Sequence, residues 1–461
     1  MDLRGKKVLV LGLGDTGLSM ARWLSRRGAI VTAADTRAEP PHADVMRRDL
    51  PSVTLECGAF SADSLRAADL LAISPGIDRR TPVIAAAMAV GVPVAGDVEL
   101  FAQALPDAAP RMPKIIAITG TNGKSTVTRM AGDICVAAGY DTLVAGNIGT
   151  PVLDALCEIE DGRRAPDAWV LELSSFQLET TTSLAADAAT VLNVSEDHLD
   201  RYDGIDDYAA AKASVFHGSG AQIVNREDGR SAAMAQPGRA LWRFGTTAPQ
   251  ADREWGIAGR ANTLALARGS QTLMAVDELP IAGLHNAANA LAAGALCHAI
   301  GIGDAPIVKA WREFKGLPHR VEKIAVIDGV TYYDDSKGTN VGSTVAALNG
   351  FDQPVVLIAG GDGKGQDFGP LREPAQRRAR AVVLIGRDRE QIARAIAGTN
   401  VALERAASME EAVQRARAAS RPGDVVLLSP ACASYDMFDN YGHRGKVFAA
   451  AVRQEAARGA R

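Results

Sequence analysis

The sequence predicts an α/β protein of three domains. Short, near-continuous apolar runs recur along its 461 residues, and each is followed by an alanine-rich stretch with helical spacing. Two of the strand–helix junctions are glycine loops, "GLGDTG" and "GTNGKST". The alternation breaks twice, at the proline-rich Leu105–Pro113 and at Phe314–Arg320. Apolar strands alternating with helices imply parallel sheets covered on both faces, because a half-exposed strand would alternate apolar with polar residues. The breaks give domains over residues 1–107, 108–313 and 314–461. Each is long enough to bury its own core.

Composition narrows the class. Apolar residues make up 47% and charged residues 23%, the balance of an ordinary globular protein. A net charge of -4 argues against a protein devoted to nucleic acid, which would carry a basic excess. The five cysteines are scattered, odd in number and free of any CxxC pair, which fits reduced thiols in a cytosol. No apolar run approaches the roughly 18 residues of a membrane helix. The first apolar run ends in glycines rather than at a signal cleavage site. The expectation is a cytoplasmic protein with no membrane insertion and no nucleic-acid partner.

The elements follow in order. "KVLVLG" leads through Gly12–Gly17 into the helical "LSMARWLSRRG", and the next strand, "AIVTAAD", ends in Asp35, 18 residues beyond Gly17. This is the context in which glycines admit a pyrophosphate at a helix N-terminus and an acid bonds a ribose. A nicotinamide cofactor or another nucleotide would fit, and so would a glycine turn that only packs strand on helix. "SPGI" (Ser74–Ile77) follows the strand "LLAIS", where crevice loops of such a sheet gather.

"KIIAIT" then leads into "GTNGKST" and a helix. Only Thr121 and Asn122 separate Gly120 from Gly123, where the usual phosphate loop has four residues. The required parts are still present. Backbone N–H groups of Gly120 to Gly123 and the helix dipole face an anion, Lys124 adds charge, and Ser125 or Thr126 offers a hydroxyl to Mg²⁺. Downstream, "VLELSSFQLE" carries Glu172 in an apolar run, where it is costly unless paired or bound to metal. "VLNVSEDHLDRY" releases Asn193, Asp197 and His198 at a strand's carboxyl end. Lys212, in "DYAAAKAS", reads alone as a solvated helix lysine. The pattern weakens over Ser231–Gln271, and "PVVLIAGG", "AVVLIG" and "DVVLLS" then mark strands of the last domain.

The ordered set "GTNGKST", "LELSSFQLE", "NVSEDHLDRY", "GLHNAANALAA", "LPHRVE", "YYDDSKGTNVGST", "GGDGKGQDF" and "LSPACASYDMF" resembles the Mur ligase family, from Gly12 to about Gly445. The resemblance implies a Rossmann-like N-terminal sheet that holds UDP rather than NAD, a central P-loop ATPase-like sheet and a mobile Rossmann-like C-terminal sheet. The chain has no "DNPR", and Asn122 stands where the alanine-adding branch has histidine. "DDSKGTNVGS" resembles the branch that adds D-glutamate to UDP-N-acetylmuramoyl-L-alanine in peptidoglycan precursor synthesis. That branch acts through an acyl phosphate.

By this resemblance Asp15, Thr16, Asp35, Thr36, Arg37, Ser74 and Gly76 meet the UDP part, and Asn147 the muramoyl-peptide end. ATP falls to the loop Gly120–Thr126 with Asn286, Arg320 and Asp335. D-Glutamate falls to Lys337, Thr339, Lys364, Ser434, Tyr435 and Tyr441, the last standing where phenylalanine is usual. Lys124, Glu172, His198, Lys212 and Lys337 are the implied catalytic set. Two Mg²⁺ ions are implied, held by Ser125 or Thr126, Glu172, His198 and a carbamylated Lys212. The His198–Lys212 spacing is one residue shorter than the family pattern. The implied working form is a monomer. Folylpolyglutamate synthase shares a related loop but has no need of the N-terminal glycine-rich domain. A nicotinamide-dependent regulator would rest on "GLGDTG" and Asp35 alone.

Overall fold

A computed structural model describes residues 2–109, 111–260 and 263–459. Pro110, within the expected break at Leu105–Pro113, lies outside the described residues, as do residues 460 and 461 of the last domain. Among the described residues the strands form three sheets. The first contains β1 (Lys7–Leu11), β2 (Ile30–Asp35), β3 (Thr54–Cys57), β4 (Leu70–Ile73) and β5 (Val94–Ala95) in the order β3-β2-β1-β4-β5, all parallel. The order reverses between β1 and β4, so the loops that follow them open a crevice at the strands' carboxyl ends. Ser74 Oγ closes its base by donating to the Gly12 carbonyl at 2.9 Å.

The central sheet contains β6 (Lys114–Thr119), β7 (Thr142–Gly146), β8 (Ala168–Glu172), β9 (Ala188–Val191), β10 (Ala221–Asn225), β11 (Leu241–Phe244), β12 (Glu254–Ala258), β13 (Ala265–Arg268) and β14 (Gln271–Ala275). β6 lies between β8 and β9, so the loop after β6 also starts at a reversal of strand order. Every residue of β8 is buried, the apolar Ala168 to Leu171 as their unbroken run requires and Glu172 with them. The helices Lys124–Ala137 and Leu284–Ala299 cover one face. The opposite face shares one core with the first sheet through the helix Asp97–Ala108, whose Phe101 ring lies 4.7 Å from that of Trp169. The third sheet holds β15 (Glu322–Ile327), β16 (Val330–Asp334), β17 (Val355–Gly360), β18 (Ala379–Ile385), β19 (Ala402–Arg405) and β20 (Val425–Leu428), ordered β15-β16-β20-β17-β18-β19.

Two expectations need correction. The sheets are not parallel throughout: β12–β13–β14 and β15–β16 are antiparallel. Only Gly269 and Ser270 join β13 to β14, and only Asp328 and Gly329 join β15 to β16. Such connections are too short for a parallel crossover, which needs about a dozen residues. The Asp-Gly pair, with both φ angles positive, is itself a hairpin signal. The helix Asp97–Ala108 also runs through Leu105 and Pro106 instead of ending before them. Leu105 is buried in the shared core, and a proline in the last turn forfeits only the end of the helix. Among the described residues no helix is long and apolar enough to cross a membrane.

Candidate active site

The first crevice is a cleft of about 1100 Å³. Its walls include Asp15, Thr16, Asp35, Thr36, Arg37, Ser74 and Gly76, the set expected around UDP, and Asn147, expected at the muramoyl-peptide end. The loop is tight: a Cβ on Gly17 would lie 1.8 Å from the Gly12 carbonyl oxygen, so only glycine fits. Asp35 is committed to shaping it. Arg37 donates to both carboxylate oxygens at 2.8 and 2.7 Å, and the Leu13 N–H adds a bond of 2.7 Å. The guanidinium, with the Leu13 N–H, holds the carboxyl down to about 2 against burial.

A second cavity, about 740 Å³, adjoins it. The two share Pro75, Gly76, Asn147 and Ile148 as common wall. Central-sheet residues on its lining include Thr121 to Ser125, Glu172, His198 and Lys212. Lys124 Nζ donates to the carbonyls of Gly120 and Thr121 at 3.0 and 2.9 Å. Lys212 is only 1% exposed, so the solvated-lysine reading fails. Its Nζ donates to the Gly120 carbonyl at 3.0 Å and sits 4.3 Å from the Tyr208 ring centroid. Glu172 accepts from Asn147 Nδ2 at 2.8 Å with one oxygen, while the other is buried without a hydrogen-bond partner. His198 has a left-handed φ of 55° and packs edge-on against Phe176, ring centroids 4.7 Å apart.

Loops of the third sheet complete the lining with Arg320, Lys337, Thr339, Lys364, Ser434 and Tyr435, joined by Tyr441 at the start of the helix Tyr441–Gly459. Arg320 donates to Ser125 Oγ at 2.6 Å, so the third domain closes directly on the phosphate loop. Lys337 Nζ lies 4.0 Å from the Tyr441 ring centroid. Burial lowers the pKa values of Lys124, Lys212, His198 and Arg320, and it brings Lys337 to about 8, aided by the Arg320 charge. Clustered cations in a walled cavity are the field that a polyanion needs. The orphaned Glu172 oxygen, the Ser125 hydroxyl and a neutral His198 are donors that suit Mg²⁺.

Gly120, Thr126, Asn286 and Asp335 stand outside this lining. The Gly120 carbonyl instead receives both lysines. Asn286 Nδ2 donates to the Ala282 carbonyl at 2.7 Å. Asp335 is buried, accepts from Ser429 Oγ at 2.7 Å and is pushed up to about 7 by desolvation. Sequence reasoning passed over Arg201, the arginine of the quoted "HLDRY". Its buried guanidinium donates to the Pro75 and Ile77 carbonyls at 3.0 and 3.2 Å and pairs with Glu179 at 2.8 Å, while lying over the Phe176 ring. Asn340 was also missed, although an asparagine before a helix is a legible cap.

Residues 6–96 match the family profile described as "Mur ligase MurD-like, N-terminal domain", 118–297 match "Mur ligase middle domain", and 319–432 match "Mur ligase, glutamate ligase domain". The chain belongs to the Mur ligase family. It is thereby an ATP-dependent ligase of the peptidoglycan precursor route. This Mur ligase is 54% identical to the UDP-N-acetylmuramoylalanine--D-glutamate ligase of Nitrosomonas europaea, over 98% of this chain and 97% of that one. It is 55% identical to the enzyme of the same name from Nitrosospira multiformis, over 99% and 98%. Its fold is similar to that of MurF from Acinetobacter baumannii, with a TM-score of 0.61 at 19% identity over 98% of this chain and 91% of that one.

Proposed function

We propose that this Mur ligase joins D-glutamate to UDP-N-acetylmuramoyl-L-alanine through an acyl phosphate. One observation carries the reading. The phosphate loop, Glu172, His198 and the lysine-bearing loops of the third sheet line one chamber, and that chamber adjoins the nucleotide-sized cleft of the first sheet, with Pro75, Gly76, Asn147 and Ile148 lining both. The names borne by relatives at 54–55% identity support it.

The assigned roles follow the three sheets. Residues 1–107 hold the UDP part in the cleft. Residues 108–313 hold ATP on the loop Gly120–Thr126, with Asn286, Arg320 and Asp335 around it. Residues 314–461 bring Lys337, Thr339, Lys364, Ser434, Tyr435 and Tyr441 to the carboxylates of D-glutamate. A chamber built from one chain suits a monomer, and five unbridged cysteines suit a cytoplasmic setting.

A carboxylate and an ammonium do not condense in water, so the carboxylate must first be activated. Its oxygen attacks the γ-phosphorus of ATP, the bond to the β-phosphate oxygen breaks, and ADP leaves. The free amine of D-glutamate then attacks the acyl carbon, and inorganic phosphate leaves as the ammonium proton is lost. Lys124, Arg320 and Lys337 place positive charge where anion meets polyanion, which is the main electrostatic barrier to the first step. Ser125, Glu172, His198 and Lys212 as its carbamate would hold two Mg²⁺ ions, which supply further charge neutralisation. Burial and the nearby Lys124 charge lower the pKa of Lys212 and so favour the uncharged amine, the form that adds carbon dioxide.

The test measures phosphate release with ATP, Mg²⁺ and UDP-N-acetylmuramoyl-L-alanine while amino acids are supplied singly. D-Glutamate supports turnover, whereas L-glutamate, L-alanine and diamino acids support little. Equal rates for all would remove the specificity claim.

A further inference from the structure

The third domain meets the phosphate loop at the first turn of the helix Val341–Asn349. Asn340 caps this helix, its Oδ1 accepting the Ser343 N–H at 2.8 Å. The same carboxamide reaches across the domain boundary. Its Nδ2 donates to Asn122 Oδ1 at 3.1 Å and to Asp197 Oδ2 at 3.3 Å, and Asn122 Nδ2 donates back to Asn340 Oδ1 at 3.4 Å. Asn122 is itself held by Asn193, which accepts its N–H at 2.8 Å and donates to its carbonyl at 3.1 Å.

Gly342 is an independent sign of docking. A Cβ there would lie 2.9 Å from Ser195 Oγ and 3.4 Å from Asn122 Nδ2. Its φ is not in the left-handed region, so the helix does not need glycine at this position. Glycine weakens a helix relative to alanine, and here the close approach of the two domains accounts for it.

The turn is also tied to both loops assigned to the amino acid. Thr339 precedes Asn340 directly. The Val341 N–H donates to Gln366 Oε1 at 2.9 Å, and Gln366 Nε2 donates to the carbonyl of Gly363, next to Lys364, at 3.0 Å and to that of Ala431, in the loop bearing Ser434, at 2.8 Å. Movement of this turn therefore moves Thr339 and Lys364 together.

We infer that Asn340 and Gly342 form a closure latch on Asn122 and Ser195, which couples the amino-acid loops to the nucleotide loop and holds water off the acyl phosphate. The inference rests on the ligase reading above. With the latch loosened, a water oxygen attacks the acyl carbon in place of the amine. The bond to phosphate breaks, the carboxylate is regenerated, two protons are released to solvent or phosphate, and ATP is consumed without an amide.

Gly342→Ala and Asn340→Ala test it, with phosphate and amide product measured in the same samples as D-glutamate is titrated. The wild type forms equal amounts of the two. At low D-glutamate the variants release roughly two phosphates per amide, because water reaches the intermediate. Their KM for D-glutamate rises about fivefold to tenfold, the loss expected for one or two neutral hydrogen bonds. Gly342→Ala melts no lower than the wild type, since alanine suits the helix. A ratio of one with the wild-type KM overturns the latch. A wild type that does not ligate D-glutamate overturns the functional reading instead. For an inactive variant, small-angle X-ray scattering with AMP-PNP and Mg²⁺ decides: the latch requires a larger radius of gyration than the wild type, and an equal radius overturns it.

Discussion

At the residue scale, the proposed chemistry draws on lysines that the fold has partly removed from water. Tyr208 and Lys212 stand four residues apart on the helix Ile205–Ala213 and point together toward the phosphate loop. The alanines around them leave room for that approach, which is why a lysine that looks solvated in sequence is buried in the fold. Lys212→Ala is expected to lose activity that a short carboxylic acid, supplied in solution, partly restores. Absence of rescue would count against the carbamate. Lys337 makes a pH prediction. Burial brings it to about 8, so it is a cation below that pH and loses its charge above. The profile of kcat/KM for D-glutamate, which reports the free enzyme, should therefore descend above pH 8. Lys337→Arg keeps its charge and should move that limb upward, and an unmoved limb would exclude Lys337 as its source.

Single elements show how far local pattern reaches. The shortened phosphate loop was legible because a strand, glycines, a lysine and hydroxyls follow one another in sequence. The Asp328–Gly329 hairpin carried an equally local signal that the expectation of parallel strands overrode. Arg201 was illegible for a different reason, since its partners Pro75, Ile77 and Glu179 come from distant segments. It braces the wall shared by cleft and chamber and packs on Phe176, which in turn packs on His198. Arg201→Met should lower stability by about 3 kcal/mol, as when one partner of a buried ion pair is removed. It should also raise KM for the UDP substrate several-fold and leave KM for D-glutamate in place. A fall in melting temperature with every KM unchanged would reduce Arg201 to a packing role.

At the scale of the whole molecule, the site exists because the carboxyl ends of three sheets face one another. Binding to the closed form should therefore stabilise the entire chain. ADP with Mg²⁺ at a hundredfold excess over its Kd is expected to add about 2.7 kcal/mol, read as a rise in melting temperature. A chelator that removes Mg²⁺ should cancel most of that rise, and a shift indifferent to the chelator would contradict metal-assisted binding. The sequence alone determined the α/β class, the two glycine loops at strand ends and the family, because each is written in contiguous residues or in the order of motifs along the chain. Only the tertiary structure decided that Glu172 keeps a free buried oxygen, that Asp35 accepts the Leu13 N–H and that Arg320 reaches Ser125. It also decided that Asn340 meets Asn122 across 218 residues of chain. The physical reason is the same in each case: burial and pairing belong to segments that folding brings together, and local periodicity carries no record of which distant partner will arrive.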